Sequence, residues 1–307
     1  VRVLFITSTR IGDAVLSTGL LDHLMHAHPE ARFTIACGRV AEGVFARMPH
    51  LERLIPIEKK RYGLHWLGLW AQVAFTRWDL VVDLRGSAIA WLLPARRRAV
   101  MRGGRRPGHR LLHLAQTLGI SPAPRPVAWF GAAEDGRAAT LVPPGPPVLA
   151  LGPTANWVRK VWPADRFLTL ARLLTGPGGA LEGARIAVLG GPGDQERAMA
   201  APVLKALPGA IDLVGQLDLP EAAAVLSRCT LFVGNDSGLM HLSAATGCAT
   251  IGLFGPTPAS EYAPIGPRAL AVLAKGPPGA APMGALTASH VAEQAASLLA
   301  RPEAVAA

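Results

Sequence analysis

The chain has 307 residues, 50% of them hydrophobic and 17% charged, with a formal net charge of +10. That length suits two domains of ~150 residues with a core in each, and the apolar content excludes a disordered chain. Cys37, Cys229 and Cys248 are scattered, with no CxxC pair or Cys/His cluster, so neither a disulfide framework nor a zinc site is expected and a reducing cytoplasm is the expected compartment.

In chain order, Val1–Ser8 is a short apolar run with β-branched residues, read as a buried parallel strand. It is too short for the core of a secretory signal. The loop Thr9-Arg10-Ile11-Gly12-Asp13 leads into a helix with Leu16, Leu20 and Leu24 on one face, ended by His28-Pro29. Arg32–Cys37 and Asp79–Leu84 are the next predicted strands. From Leu84 to Ala133 there is no acidic residue, while Arg85, Arg96, Arg97, Arg98, Arg102, Arg105, Arg106, Arg110 and Arg125 fall there. Residues 1–146 carry 20 Lys and Arg against 10 Asp and Glu, whereas residues 147–307 carry 11 of each. An anionic partner for the first half and a merely solubilising surface are equally open explanations. The run lacks the interleaved aromatics that stack nucleic-acid bases, so no nucleic-acid partner is expected.

Ser121–Pro147 is proline-rich and ends in Pro143-Pro144-Gly145-Pro146-Pro147, the expected linker. The expected domains are therefore residues 1–145 and 146–307. The second half repeats the alternation: strand Val148–Gly152, a helix opening at Pro163 with Asp165 in its first turn, strand Arg185–Leu189 running into Gly190-Gly191-Pro192-Gly193, and the short strand Leu213–Val214. Asp218 caps a helix over Pro220–Ser227. Strand Thr230–Gly234 then meets a helix that closes on Gly247, and Thr250–Phe254 is the last clear strand. The uncharged stretch Ser237–Ser260 reads as helix, turn and strand rather than a membrane span. Ser289–Leu299 is a one-faced helix through Val291, Ala295, Leu298 and Leu299, with the option of packing back on the first domain. The rhythm predicts an α/β protein of two doubly wound parallel sheets, whose ligands sit at the carboxyl ends of strands.

Three junctions carry chemistry. In Asn235-Asp236-Ser237-Gly238-Leu239-Met240-His241, a helix opens directly after a strand. Free N–H groups at Ser237 and Gly238 suit a phosphate and Asp236 suits sugar hydroxyls, although an ordinary helix cap explains the residues as well. Lys160, just before Trp162-Pro163, either reaches a diphosphate or is simply solvated. Asp13 after Gly12 is either a helix cap or a general base. GxGxxG, GxxxxGK[ST], Asp-x-Asp, Gly-x-Ser-x-Gly and His-Glu-x-x-His patterns are all missing.

Together, Arg10-Ile11-Gly12-Asp13-Ala14-Val15-Leu16, Lys160-Val161-Trp162-Pro163, Asp236-Ser237-Gly238-Leu239-Met240-His241 and Gly255-Pro256-Thr257 resemble the lipopolysaccharide heptosyltransferases of glycosyltransferase family 9. The resemblance runs from residue 1 to about 265. It implies a GT-B fold of two Rossmann-like domains facing across a cleft, an ADP-heptose donor held mainly by the second domain and a lipid A–Kdo type anionic glycolipid acceptor held by the first. It also implies inversion without metal or other cofactor. Asp13 falls on the family's base. Lys160 falls on the diphosphate lysine and Asp236 on the donor sugar, with Ser237, Gly238 and His241 around the phosphates.

Thr154, Asn156, Gly191 and Leu217 complete the implied donor set, although Leu217 reads more readily as a core leucine. Ala155 and Asn156 stand where the family has threonines, and Gly193 stands where an acidic ribose contact is expected. Arg10, Gly12, Arg96, Arg97, Arg98 and Arg102 are the expected acceptor set, with peripheral contact at the inner membrane face. A sugar-nucleotide epimerase of the same architecture and a non-catalytic anion-binding module are the alternatives.

Overall fold

The computed structural model describes residues 1–103 and 107–301, so the predicted basic residues Arg105 and Arg106 lie outside the described residues. The chain divides into two compact units, Val1–Trp129 and Phe130–Ala307.

The first unit runs β1 (Arg2–Ile6), α1 (Ile11–Ala27), β2 (Arg32–Gly38), α2 (Glu42–Phe45), β3 (Leu51–Ile57), α3 (Leu64–Val73), β4 (Trp78–Asp83), β5 (Ala95–Val100) and α4 (Arg110–Thr117). Its sheet is parallel throughout, in the order β3-β2-β1-β4-β5. The central strands are apolar along their length because helices cover both faces. On one face Leu4, Ile6, Ala36 and Val81 pack against Leu69 and Val73 of α3 and against Ile89 and Leu93. The edge strands β3 and β5 are more exposed and carry charge, which discourages pairing with another sheet. Within α1, Gly19 permits a close crossing. A Cβ there would stand 2.3 Å from the Arg125 carbonyl oxygen, and this segment is tied down where Val127 N donates to Thr18 Oγ1 at 2.9 Å.

The second unit runs α5 (Ala132–Leu141), β6 (Val148–Gly152), α6 (Ala164–Thr175), β7 (Arg185–Gly190), α7 (Asp194–Ala206), β8 (Ile211–Val214), α8 (Leu219–Ser227), β9 (Leu231–Asn235), α9 (Gly238–Ala245), β10 (Ala249–Phe254), α10 (Ala259–Tyr262), β11 (Ala269–Leu273) and α11 (Ala288–Leu299). Its parallel sheet has the order β11-β10-β9-β6-β7-β8. Asp218 and Glu221 cap α8 reciprocally at 2.8 and 2.9 Å, and α9 stops at Gly247, which has φ 88°. Ser237–Ser260 is thus helix α9, strand β10 and the start of α10. No helix among the described residues is long and apolar enough to cross a membrane.

The division between units falls inside the proline-rich stretch, after Trp129 rather than at residue 145, because α5 belongs to the second unit. It packs on α8, with Arg137 bonded to Glu221 and Arg228 to both Asp135 and the Val142 carbonyl. Arg185 donates to the Pro143 and Pro146 carbonyls and holds the proline segment against β7. Val291, Ala295 and Leu298 of α11 lie in the core of the second unit, where α11 packs against α6.

Candidate functional site

Each sheet has one point where successive strands leave in opposite directions, and there the loops at the carboxyl ends part to form a crevice. In the first unit it lies between β1 and β4. The loop after β1 is fixed by Thr7, whose hydroxyl sits 3.0 Å from that of Ser17, and α1 begins at Ile11. Gly12 and Asp13 are therefore in the first helical turn rather than in the preceding loop. Arg10, exposed and extended, is the N-cap residue and makes no side-chain cap bond. Asp13 is thus free of the capping role its sequence position allowed, while its charge still suits the positive helix end.

After β4, the buried Asp83 accepts from the backbone N–H of Arg85 and of Ser87, each at 2.8 Å, and from the Ser87 hydroxyl. This turn places the Arg85 guanidinium 5.0 Å from the ring centre of Trp66. Burial lowers the Arg85 pKa, an effect opposed by the Asp83 charge. A recess of about 290 Å³ is lined by Thr9, Asp13, Arg85, Arg102, Arg110 and Leu114, among others. Asp13 Oδ1 lies 3.3 Å from Arg110 Nε, close enough for an ion pair but misaligned for a hydrogen bond. Both atoms, and Nη1 of Arg85, are buried with no hydrogen-bond partner among the described residues. Buried charged groups that lack hydrogen bonds on a recess wall are what a polar ligand completes.

Of the expected acceptor arginines, only Arg102 lines this recess. Arg96, Arg97 and Arg98 are residues of the edge strand β5. Arg98 is a brace, donating to the carbonyls of Ala90, Leu93 and Ala95, and Arg96 lies 3.4 Å from Asp79. Arg97 is exposed.

The matching point in the second unit lies between β6 and β9. Here Gly152 and Gly234 pair in register, and a Cβ on either would stand 2.6 Å from the Phe232 ring. Asn235, fully buried at the end of β9, accepts from Trp162 N at 3.0 Å and reaches the Thr154 carbonyl at 3.5 Å. It thereby stitches the loop after β6 to the strand that carries Asp236. Lys160 Nζ donates to Asp236 Oδ2 at 2.7 Å, and Thr257 Oγ1 donates to the same oxygen at 2.9 Å. The side chains of Lys160 and Asp236 are 18% and 8% exposed, so this ion pair is largely out of water.

Ser237 is the N-cap residue of α9, with no side-chain cap bond, so the first N–H groups of the helix from Gly238 onward lack a cap from it. His241 is buried one turn in. Thr154 is buried, Asn156 exposed and Leu217 half-buried after β8. The Gly191 N–H is taken up by Glu196 Oε2 at 3.0 Å. Lys160, Asp236 and Ser237 thus share one corner, while Asn156 stays outside the hydrogen-bond network seen there. The anchoring roles of Thr257 and Asn235, the pairing of Arg110 with Asp13 and the place of Arg85 in the same recess were not expected from sequence. Among the described residues, no three His, Cys, Asp or Glu side chains are grouped to hold a metal.

Residues 109–281 match the family model for glycosyltransferase family 9 (heptosyltransferase). The chain is 31% identical to lipooligosaccharide heptosyltransferase 2 of Haemophilus influenzae over 129 residues, 40% of this chain and 35% of that protein. It is 24% identical to lipopolysaccharide heptosyltransferase 2 of Salmonella typhimurium over 310 residues, 87% of this chain and 86% of that one. Its fold matches that of the Escherichia coli heptosyltransferase WaaC with ADP, with a TM-score of 0.74 and 20% identity, covering 97% of this chain and 100% of the other. At that identity the likeness establishes the fold, which is of the GT-B type. The family match spans more than half of the chain, which belongs to glycosyltransferase family 9, the heptosyltransferase family.

Proposed function

We propose that this chain is an inverting glycosyltransferase that moves heptose from ADP-heptose to a hydroxyl of a lipopolysaccharide core acceptor, with Asp13 as general base. Family membership carries the reaction class. The names of the relatives support the sugar and the glycolipid, and the ADP of the WaaC structure supports the nucleotide.

In this reading Lys160 and the N–H groups at Ser237 and Gly238 hold the donor diphosphate, and Asp236 accepts from sugar hydroxyls while orienting Lys160. Thr154, Asn156, Gly191, Leu217 and His241 are the remaining proposed donor neighbours. Arg85, Arg102 and Arg110 receive anionic groups of the acceptor in the recess beside Asp13. As the acceptor oxygen bonds to the anomeric carbon, Asp13 takes its proton. The bond from that carbon to the diphosphate oxygen breaks, and ADP leaves with the electron pair. Neutralisation of the leaving diphosphate falls to Lys160 and the start of α9, with no metal or other cofactor in the proposed reaction. The proposed place of work is the cytoplasmic face of the inner membrane.

The test is ADP release from ADP-heptose with and without a lipid A–Kdo acceptor, with mass spectrometry of the glycolipid. Acceptor-dependent release with a gain of one heptose is expected. Conversion of the donor to an isomer without ADP release would instead mean epimerisation, and ADP binding with no turnover would mean an anion-binding module.

A further inference from the structure

Helix α3 is apolar on both of its faces, yet the fold covers only one. Leu69 and Val73 are buried in the core of the first unit, and Trp66 and Trp70 pack against that core. The other face carries Leu64, Leu67, Gly68 and Ala71, spaced i, i+3, i+4 and i+7, and Phe75 continues it just past the helix end. Leu64 and Leu67 are 54% and 62% exposed, Phe75 is 92% exposed, and so is Tyr62 just before the helix. A Cβ on Gly68 would meet nothing within 4 Å, so that side of the helix is open. Isolated exposed apolar residues need no explanation, but an uncharged stripe along a helix does.

The charge around the stripe is mainly positive, since the nearby Glu58 is paired with Arg39. Lys59, Lys60 and Arg61 precede it and Arg77 comes after it, and from Lys59 to Trp78 there is no acidic residue. All four cations are exposed. Apolar and aromatic residues on one helical face, bordered by cations, form the pattern that settles into the headgroup boundary of an anionic bilayer. A protein partner is the other occupant of such a stripe, but the exposed cations at both of its ends favour a lipid surface.

We propose that α3, with Tyr62, Phe75 and the basic residues at its ends, docks the first unit on an anionic membrane. This deepens the membrane contact in the proposed function and moves it from the arginines of β5 to a different element. It also bears on substrate supply. Trp66 of α3 lies under the Arg85 guanidinium, and Arg85 lines the recess that holds Asp13. A helix resting in the headgroup layer therefore sets that recess beside the surface from which a lipid-anchored acceptor is drawn.

The experiment is co-sedimentation of the full chain with phosphatidylcholine vesicles, with and without phosphatidylglycerol. It needs no sugar substrate, so its outcome is independent of the transferase assay. Binding to the anionic vesicles is expected. Leu67→Ser and Phe75→Ser should each weaken it roughly tenfold or more. Replacing Lys59, Lys60 and Arg61 with alanine should weaken it about fivefold per charge, and added salt should act in the same direction. Because these side chains are exposed, thermal melting of the variants should match the wild type. Undiminished binding by the serine variants, equal binding to neutral vesicles, or a solution dimer dispersed by Phe75→Ser would each overturn the proposal.

Discussion

Replacing Lys160 with methionine separates what its ion pair contributes to stability from what it contributes to binding. Methionine keeps much of the stem volume and removes the charge. It leaves Asp236, 8% exposed, with Thr257 as the remaining donor to Oδ2. Breaking a buried pair by removing one partner costs about 3–5 kcal/mol. The retained Thr257 bond and the partial exposure of Lys160 reduce this to about 2 kcal/mol, which in a unit of this size lowers Tm by roughly 4–8 °C. Loss of a charge-assisted contact to the diphosphate, worth ~1.5–3 kcal/mol, should weaken ADP at least tenfold. Scanning and titration calorimetry read the two effects separately. The double variant Lys160→Met, Asp236→Asn removes both charges, so it should recover the stability but not the affinity. If the single variant bound ADP as tightly as the wild type, Lys160 would be a structural partner of Asp236 and nothing more.

Other outcomes rest on the same structure. Arg102→Ala and Arg85→Leu should each raise the acceptor KM by about tenfold or more while leaving ADP affinity unchanged, since both residues line the recess of the first unit; steady-state kinetics check this. Gly19→Ala drives a methyl into the Arg125 carbonyl and should destabilise the chain by about 1–3 kcal/mol in urea titration. Cys37, Cys229 and Cys248 are buried free thiols, and desolvation pushes Cys37 up to about 12 and Cys248 up to about 11, with Cys229 also raised. The thiolate is the reactive form, so iodoacetamide at pH 8 should leave native protein unlabelled and label all three after unfolding, as mass spectrometry would record.

How much of the fold is legible in the sequence depends on strand position. β6 coincides with its expected range, and β1, β2, β9 and β10 differ from theirs by a residue or two at the ends, because interior strands covered on both faces read as unbroken apolar runs. The edge strands are not legible in this way. β5 is Ala-Arg-Arg-Arg-Ala-Val, which reads as a charge run, and β3 carries the adjacent charges Glu52 and Arg53 and is interrupted by Pro56. β8 is longer than its apolar signal, and the half-exposed β11 gives no clear signal at all. α7 contains Pro202, which local propensity reads as a break. The site motifs are legible as types and order. Their partners are not, since Asp13 meets Arg110 and Lys160 meets Asp236 only through tertiary folding. The helical start at Ile11, which takes Asp13 out of the capping position, likewise depends on backbone geometry.

The most direct test of the central claim is turnover by Asp13→Asn, with ADP affinity and thermal stability measured on the same protein. Asn keeps the size of the side chain and forfeits its basicity. Although the facing atoms of this pair are buried, the Arg110 side chain is 29% exposed and can turn to water, and Asn keeps a polar group beside it, so the loss of the pair should cost about 1 kcal/mol. The account predicts a fall in kcat of ~10²–10⁴-fold with ADP binding intact and Tm nearly unchanged. Turnover at the wild-type rate, or a loss of activity matched by a loss of stability, would contradict the assignment of Asp13 as the base.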